Sequence, residues 1–213
     1  MAPGRLITIE GIDGAGKSTL ADSLLRELST RGLPVELLRD PGGVETSERI
    51  RALVKDRELA FSPRTEVLLY AAARAQLIEQ LIEPLLSAGA VVLLDRFVDS
   101  SLAYQGVGRG LGLEAVRAIN RFATGSIAPD RTLLLRISPA EGRQRQRQRS
   151  GTVDRLEGEG EAFYAAIASG YEQLAHAEPK RIRVLDATLP PAEVLQAALA
   201  ALTDLLDSSS HSD

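Results

Sequence analysis

A glycine-rich turn stands between a β-rich apolar segment and an amphipathic helical segment near the start of the chain. Residues 11–18 read Gly-Ile-Asp-Gly-Ala-Gly-Lys-Ser and follow the pattern G-x-x-x-x-G-K-[ST]. Residues 5–10 are apolar and β-rich, and Leu20, Leu24 and Leu28 repeat at helical spacing. A strand, such a turn and a helix start together aim backbone N–H groups at an anion. The order therefore predicts a phosphate-binding loop within an α/β chain.

The loop supplies the first candidate residues for binding a nucleotide and its Mg²⁺ ion. The side chain of Lys17 would bring positive charge to the end of a nucleotide from which a phosphoryl group leaves, and the hydroxyl of Ser18 would face Mg²⁺. We expect the phosphates of the bound nucleotide to be held by Gly11, Ile12, Asp13, Gly14, Ala15, Gly16, Lys17, Ser18 and Thr19.

Strand and helix patterns alternate along the rest of the chain, which predicts a parallel sheet of about five strands with helices on both faces. A continuous aliphatic run such as 91–94 is typical of a strand that is buried on both sides. Further strands are predicted at 35–39, 91–95, 131–136 and 182–186. Helices are predicted at about 46–55, 63–86, 113–124, 139–147 and 157–177, with a last one from 190.

The aliphatic run at 91–94 ends in a carboxylate. In a parallel sheet, ligands bind beyond the carboxyl ends of the strands, so Asp95 would share Mg²⁺ with Ser18. The alternative is a helix-capping aspartate. Arg96 follows directly, and its planar guanidinium suits a second phosphate, although it could instead pair with Asp95.

Composition narrows the class of protein. The chain has 213 residues, no Cys and a net charge of −4, which favours one domain in a reducing, cytoplasmic compartment and disfavours a nucleic-acid polymer as partner. No apolar run approaches the ~18 residues of a membrane span. We expect a single domain over 1–206 with a mobile lid at about 143–156, and a disordered tail at 207–213.

Three further segments carry a family resemblance. Residues 95–106 read Asp-Arg-Phe-Val-Asp-Ser-Ser-Leu-Ala-Tyr-Gln-Gly, residues 39–43 read Arg-Asp-Pro-Gly-Gly, and residues 154–157 read Asp-Arg-Leu-Glu. With the phosphate-binding loop they resemble the motifs of thymidylate kinases, in the family's order and spacing. The resemblance extends from about residue 6 to residue 206. It implies the P-loop NTP hydrolase fold of nucleoside monophosphate kinases, with ATP and Mg²⁺ used to convert dTMP to dTDP.

The resemblance also implies roles in the acceptor site. Tyr70 would stack on thymine, and Arg74 would donate to thymine O4. Tyr104 would lie against C2′ of the sugar and Asp13 would bind the 3′-hydroxyl. The base edge would be lined by Ser101 and Gln105, and the acceptor phosphate would be held by Arg96 with Arg39 and Arg51 as weaker candidates. Without the family, Tyr70 would be interpreted as a core aromatic.

A basic tract, residues 143–149, precedes the last motif. Its simplest interpretation is a solvated surface helix. However, Gly14 and Ala15 stand where some relatives place a catalytic arginine, and relatives without it supply basic residues from the lid. Arg147 and Arg149 are therefore candidate catalytic groups that would reach the γ-phosphate. The resemblance further implies a homodimer, for which the helix from Pro63 offers a face.

Three other classes of protein compete with this prediction. Another nucleoside monophosphate or deoxynucleoside kinase would keep the donor site and change the acceptor pocket. A GTP-dependent switch would need an Asn-Lys-x-Asp segment, and the only asparagine, Asn120, is followed by Arg121. A catalytically silent structural protein is disfavoured because no nominal catalytic group is missing.

Overall fold

The computed structural model describes residues 4–125, 127–148, 155–156 and 158–206. Its centre is a five-stranded parallel sheet in the order β2-β3-β1-β4-β5. The strands are β1 Arg5–Glu10, β2 Val35–Arg39, β3 Val91–Asp95, β4 Arg131–Arg136 and β5 Ile182–Asp186. All five strand predictions are confirmed, and so is the α/β fold class.

Helices connect the strands. They are α1 Lys17–Thr30, α2 Glu45–Lys55, α3 Pro63–Leu77, α4 Glu83–Ser87, α5 Val98–Ser101, α6 Leu113–Ala123, α7 Pro139–Gln148, α8 Glu161–Ala177, α9 Pro191–Ala200 and α10 Thr203–Leu206. A π-helical segment, Ile78–Ile82, joins α3 to α4, so the helix predicted from Pro63 is present with a wider turn inside it. A second π-helical segment, Leu102–Gly108, continues α5.

Two helix predictions differ from the structure. The helix expected from 157 begins at Glu161, because Gly158 and Gly160 precede it and glycine is costly inside a helix. The segment 98–108 was not predicted to be helical, since it contains two serines and two glycines and lacks a regular apolar stripe.

Alternating side chains of β1 reach both faces of the sheet. Ile7 and Ile9 belong to the larger core cluster together with Leu24 and Leu28 of α1. Leu6 faces the opposite side, where a second cluster contains Leu77, Ile78, Ile82, Val92, Leu94 and Phe97. Thr8 and Glu10 share the face of Leu6 by the two-residue period of a strand, and both are fully buried.

The register of the strands places Asp95, Arg39 and the phosphate-binding loop at one edge of the sheet. Ile9 of β1 lies beside Asp95 of β3, and Arg39 of β2 lies beside the same Asp95. The phosphate-binding loop leaves β1 at this edge, so it meets the ends of two neighbouring strands. This is the edge where parallel α/β sheets bind ligands.

Several predicted features fall outside the described residues. Of the lid predicted at 143–156, the structure describes 143–148 at the end of α7 and the pair Arg155–Leu156. The residues 149–154, Glu157 and the tail 207–213 lie outside the described part. Within the part that is described, no helix has the length and apolar character needed to cross a membrane.

Candidate active site

A cleft of about 470 Å³ opens at the carboxyl edge of the sheet. Its walls come from the phosphate-binding loop, the ends of β2 and β3, helix α3, the segment Leu102–Gly108, helix α7 and the start of α9. Most predicted site residues line it: Asp13, Gly14, Ala15, Gly16, Lys17, Ser18, Thr19, Arg39, Arg51, Tyr70, Arg74, Asp95, Arg96, Ser101, Tyr104 and Gln105. Gly11 and Ile12 lie behind this lining, and their backbone carbonyls accept hydrogen bonds from Lys17.

The loop needs glycine where helix α7 crosses it. Gly14 has a φ of 81°, and a Cβ there would overlap the carbonyl oxygen of Gly142 on α7. A Cβ on Gly142 would in turn lie 2.8 Å from the carbonyl oxygen of Asp13. Two glycines therefore allow α7 to rest directly on the phosphate-binding loop.

Lys17 is held across the mouth of the loop. Its Nζ donates to the carbonyl oxygens of Gly11 at 3.1 Å and Ile12 at 3.0 Å. Burial, with the nearby positive charge of Arg96, lowers the pKa of Lys17 to about 8. Asp13 Oδ1 lies 4.0 Å from Nζ, and a bound phosphate would add further negative charge beside the ammonium.

Ser18 and Asp95 meet as predicted for a metal site. The Ser18 hydroxyl donates to Asp95 Oδ2 at 3.3 Å, whereas Asp95 Oδ1 is buried and has no hydrogen-bond partner among the described residues. Hydroxyl and carboxylate oxygens are the ligands that Mg²⁺ prefers, so the pair fits this ion. The described chain contains no group of three acidic, His or Cys side chains at one point, so phosphate and water would complete the coordination.

Arg96 is the central cation of the cleft. Its Nη1 donates to the carbonyl of Gly11 at 3.1 Å and to Ser100 Oγ at 3.1 Å. Its Nη2 donates to Asp13 Oδ1 and to Tyr104 Oη, the latter at 3.2 Å. The guanidinium also lies 5.0 Å from the ring centre of Tyr104. Arg96 thus pairs with Asp13 rather than with Asp95.

Asp13 and Tyr104 form one side of the same cluster. Tyr104 donates from its hydroxyl to Asp13 Oδ2 at 3.0 Å. Burial opposes ionisation of Asp13, but the charges of Arg96 and Lys17 outweigh it and lower its pKa below the ordinary value. Asp13 is therefore an ionised acceptor that faces the cleft.

Glu10 lies behind the site, and the sequence did not indicate its contacts there. Its Oε1 accepts from the backbone N–H of Phe97 at 2.7 Å, and its Oε2 accepts from Ser100 Oγ at 2.6 Å and Tyr171 Oη at 2.9 Å. Burial, with the neighbouring carboxylate of Asp99, raises the pKa of Glu10 to about 7. Glu10 fixes the turn after β3, which carries Arg96.

Arg74 crosses the floor of the cleft. Its Nε donates to Asp40, its Nη1 to Ser101 at 3.1 Å and to Asn120, and its Nη2 to the carbonyl of Phe97 at 3.1 Å. A guanidinium has five N–H groups. One N–H on Nη2 therefore has no partner among the residues that the structure describes.

The other residues predicted for the acceptor site also line the cleft. Gln105 donates from Nε2 to Glu66 at 2.9 Å. Arg51 donates to the carbonyl of Pro41 at 2.7 Å. Arg39 donates to Glu48 at 2.8 Å, at the exposed rim. Tyr70 lines the same wall, and its ring is partly exposed.

Of the basic tract, Arg145 is the arginine that the structure places in the cleft. Arg145 lines the cleft and donates to the carbonyl of Ala187 at 2.9 Å. Arg147 is exposed and is not among the lining residues, and Arg149 lies outside the described part. Gln146 also lines the cleft, and its Nε2 is buried without a partner in the described chain.

Comparisons with known proteins agree with this geometry. A sequence profile of the family described as "Thymidylate kinase" matches residues 9–198. The chain belongs to the thymidylate kinase family. It is 44% identical to a thymidylate kinase of Chlorobium chlorochromatii over 92% of both chains, and 44% identical to one of Deinococcus radiodurans over 96% of this chain and 98% of the other. The crystal structure of thymidylate kinase from Ehrlichia chaffeensis superposes with a TM-score of 0.74, at 28% identity, over 94% of this chain and 99% of that one.

Family membership makes the chain a phosphotransferase that acts on nucleotides. The fold and the enzyme class predicted from the motifs are thereby confirmed. Residues that the motifs did not indicate are Glu10, Glu66, Arg145 and Gln146. For Glu10 a signal existed, since a carboxylate ending a buried strand next to a phosphate-binding loop needs a compensating partner.

Replacing Glu10 by Gln should change how stability depends on pH. The pKa of Glu10 is raised from 4.5 to about 7 in the folded state, so the folded protein binds the proton more tightly. This contribution is complete below pH 4.5 and is lost as pH rises through about 7. Over that range the wild-type free energy of unfolding should fall by up to about 3 kcal/mol more than that of Glu10→Gln. Urea unfolding from pH 4.5 to 8 measures the difference, and parallel curves for the two proteins would contradict it.

Proposed function

We propose that this enzyme transfers the γ-phosphoryl group of ATP to dTMP and produces dTDP, with Mg²⁺ bound at Ser18 and Asp95. The single observation that carries the proposal is a cleft with two ends: a phosphate-binding loop at one, and a pocket containing Arg74, Gln105 and Tyr70 at the other. Arg96 lies between them, where two phosphates would meet.

The acceptor end suits a thymine deoxynucleotide. The remaining Nη2 hydrogen of Arg74 is a donor for thymine O4, and the ring of Tyr70 is placed to stack on a flat base. Tyr104 and Asp13 form a hydrogen-bonded wall that suits the sugar, with Asp13 as acceptor for the 3′-hydroxyl. A ring against C2′ would leave little room for a ribose hydroxyl.

The donor end suits ATP. The backbone of the loop and Lys17 would hold its phosphates, as in other phosphate-binding loops. Beyond the loop, the cleft is lined by Ala187, Leu189, Pro191 and Val194, an apolar slot suited to adenine. Arg145 stands over this slot, where its planar guanidinium can cover the base or bind a phosphate.

Catalysis would then consist of positioning and charge neutralisation. The attacking group is already a phosphate oxygen, so little base catalysis is needed. Lys17, Arg96 and a lid arginine would offset the repulsion between two polyanions. Mg²⁺, when bound, would neutralise charge on the donor phosphates. Arg39 and Arg51 line the same cleft and would support the acceptor phosphate, and Arg149 stays a candidate for the γ-phosphate.

We further propose a homodimer. Helices α3 and α6 pack side by side, and both expose apolar side chains. Phe122 on α6 is 93% exposed and Leu68 on α3 is 56% exposed. Ala72, Ala115 and Ala118 lie on the same outer faces and add no charge. A contiguous apolar surface of this kind typically marks a protein interface.

ATP and dTMP are cytoplasmic metabolites, so we propose a cytoplasmic location with no membrane contact. The cationic groups line a cleft of nucleotide size within a chain of net charge −4, which favours small nucleotides over a nucleic-acid polymer. We also propose that residues 1–206 form one domain, with the segment around 143–156 acting as its lid.

An acceptor screen tests the function. Purified enzyme, ATP and Mg²⁺ are incubated separately with dTMP, dUMP, UMP, CMP, AMP, GMP and thymidine, and the products are separated. The expected result is the highest kcat/KM with dTMP. Lys17→Ala should lower kcat by on the order of 10²–10³. Stronger activity on another acceptor, or undiminished dTDP formation by Lys17→Ala, would contradict the proposal.

Two arginines of the basic tract, Arg145 and Arg147, allow a matched comparison of variants. Arg145→Ala should raise the KM for ATP about tenfold, because one charge-assisted contact to the donor is lost. Its KM for dTMP should stay near the wild-type value. Arg147→Ala removes the same charge from the same helix and should change the KM for ATP little. Equal effects of the two substitutions would refute the special role of Arg145.

The dimer has a direct test. Phe122→Asp introduces a charge at the centre of the proposed interface, and light scattering after gel filtration should then report a monomer mass. Arg121→Asp, one residue earlier on the same helix, is exposed and serves as the control for a new negative charge. A wild-type enzyme that runs as a monomer would rule the dimer out.

A further inference from the structure

Glu66 lies directly behind the acceptor pocket. It is in the first turn of α3, is 1% exposed and does not itself line the cleft. Three side chains donate to its carboxylate. Gln105 donates to Oε1 at 2.9 Å, Arg109 to Oε2 at 3.2 Å, and Arg155 to Oε2 at 2.7 Å.

The two arginines keep this buried carboxylate ionised. Burial alone would raise the pKa of Glu66, but the hydrogen bonds from Gln105, Arg109 and Arg155 outweigh it and hold the pKa below its ordinary value. Arg109 is itself anchored, since it pairs with Glu159 at 2.7 Å and lies 4.5 Å from the ring centre of Phe163. Glu66 therefore acts only as an acceptor.

An ionised acceptor decides which way the amide of Gln105 points. Nε2 carries the hydrogens and can face the carboxylate, whereas Oε1 in the same place would be repelled by it. A primary amide is planar, so Oε1 must lie on the side of the group away from Nε2. Gln105 lines the cleft, so an amide held in this way would offer its oxygen, an acceptor, to a base bound there.

We propose that Glu66 is a positioning residue that holds Gln105 with its amide oxygen toward the acceptor base, and so selects pyrimidines that carry a hydrogen on N3. Thymine and uracil have N3–H, whereas N3 of cytosine is an acceptor. The inference rests on the proposed function and adds the cause of discrimination against cytosine. Arg74 would read the neighbouring O4, so the two side chains divide the base edge between them.

Replacing Glu66 by Gln tests the assignment. A neutral amide at position 66 can either donate or accept, so Gln105 would be free to turn its Nε2 toward the cleft. The measurement is kcat/KM for dTMP, dUMP and dCMP with ATP held constant. The ratio of dTMP to dCMP should fall about tenfold, the equivalent of about one hydrogen bond. The ratio of dTMP to dUMP should not change, because thymine and uracil share the same N3–H and O4 edge.

The measurement with dUMP distinguishes a positioning role of Glu66 from general damage to the enzyme. A merely structural role would lower activity toward all three nucleotides and leave both ratios unchanged. Arg155→Met is a second control, since it removes another partner of Glu66 but leaves the bond between Glu66 and Gln105. It should keep the wild-type ratio of dTMP to dCMP, whatever it does to the overall rate.

Gln105→Met completes the experiment. Methionine has neither amide end, so this variant should also have a lower ratio of dTMP to dCMP, and adding Glu66→Gln to it should change the ratio no further. If Glu66→Gln does not fold, a Gln105→Met enzyme with the wild-type ratio would still overturn the inference. A folded Glu66→Gln with the wild-type ratio would overturn it as well. A wild-type enzyme that does not prefer dTMP would instead refute the proposed function.

Discussion

The site depends on the way in which Arg96 is held. Its backbone has a φ of 71°, a left-handed conformation that costs roughly 1–2 kcal/mol for a residue with a Cβ. The guanidinium compensates by binding the carbonyl of Gly11, Asp13, Ser100 and Tyr104. These partners belong to the phosphate-binding loop, to α5 and to the helical segment that follows it. One cation thus fixes the relative positions of the groups that would meet two phosphates.

Behind Arg96, part of the buried surface of the sheet is polar. Thr8 hydrogen-bonds Thr132 at 2.7 Å, and Thr132 donates to Asp99 at 3.0 Å. Arg181 binds both oxygens of Asp99, at 2.7 and 2.9 Å. Buried polar groups are costly unless every one is paired, and this face, together with Glu10, is paired throughout these contacts. Moving one partner would leave another unsatisfied, so the network resists shifts in the turn that carries Arg96.

The sequence predicted the sheet well because its strands are continuous aliphatic runs, and 91–94 is an example. It predicted the loop and the meeting of Ser18 with Asp95, because the loop motif has a fixed spacing and Asp95 ends a buried strand. It did not reveal Glu66, since a glutamate in the first turn of a helix usually faces water, and it did not show which groups would compensate Glu10. The sequence could not choose among the arginines of the basic tract, because the choice depends on helical phase. Arg145 and Arg147 are two residues apart, about 200° around the helix, so only one of them can face the cleft. The sequence of a basic tract does not show which of its side chains face the cleft.

The charges of the cleft explain how an acidic chain can gather two anions. Lys17, Arg96 and Arg145 line it, while Asp13 and Asp40 compensate Arg96 and Arg74 from within. A guanidinium that is already paired loses less hydration when a ligand arrives, because its water has already been replaced by Asp13. An incoming phosphate would then compete with Asp13 for Arg96, and Asp13 would be released toward the sugar hydroxyl that it is proposed to bind. Asp13 accepts from Arg96 and Tyr104 at once, so the group proposed to bind the sugar and the group proposed to bind the phosphate are joined by direct hydrogen bonds.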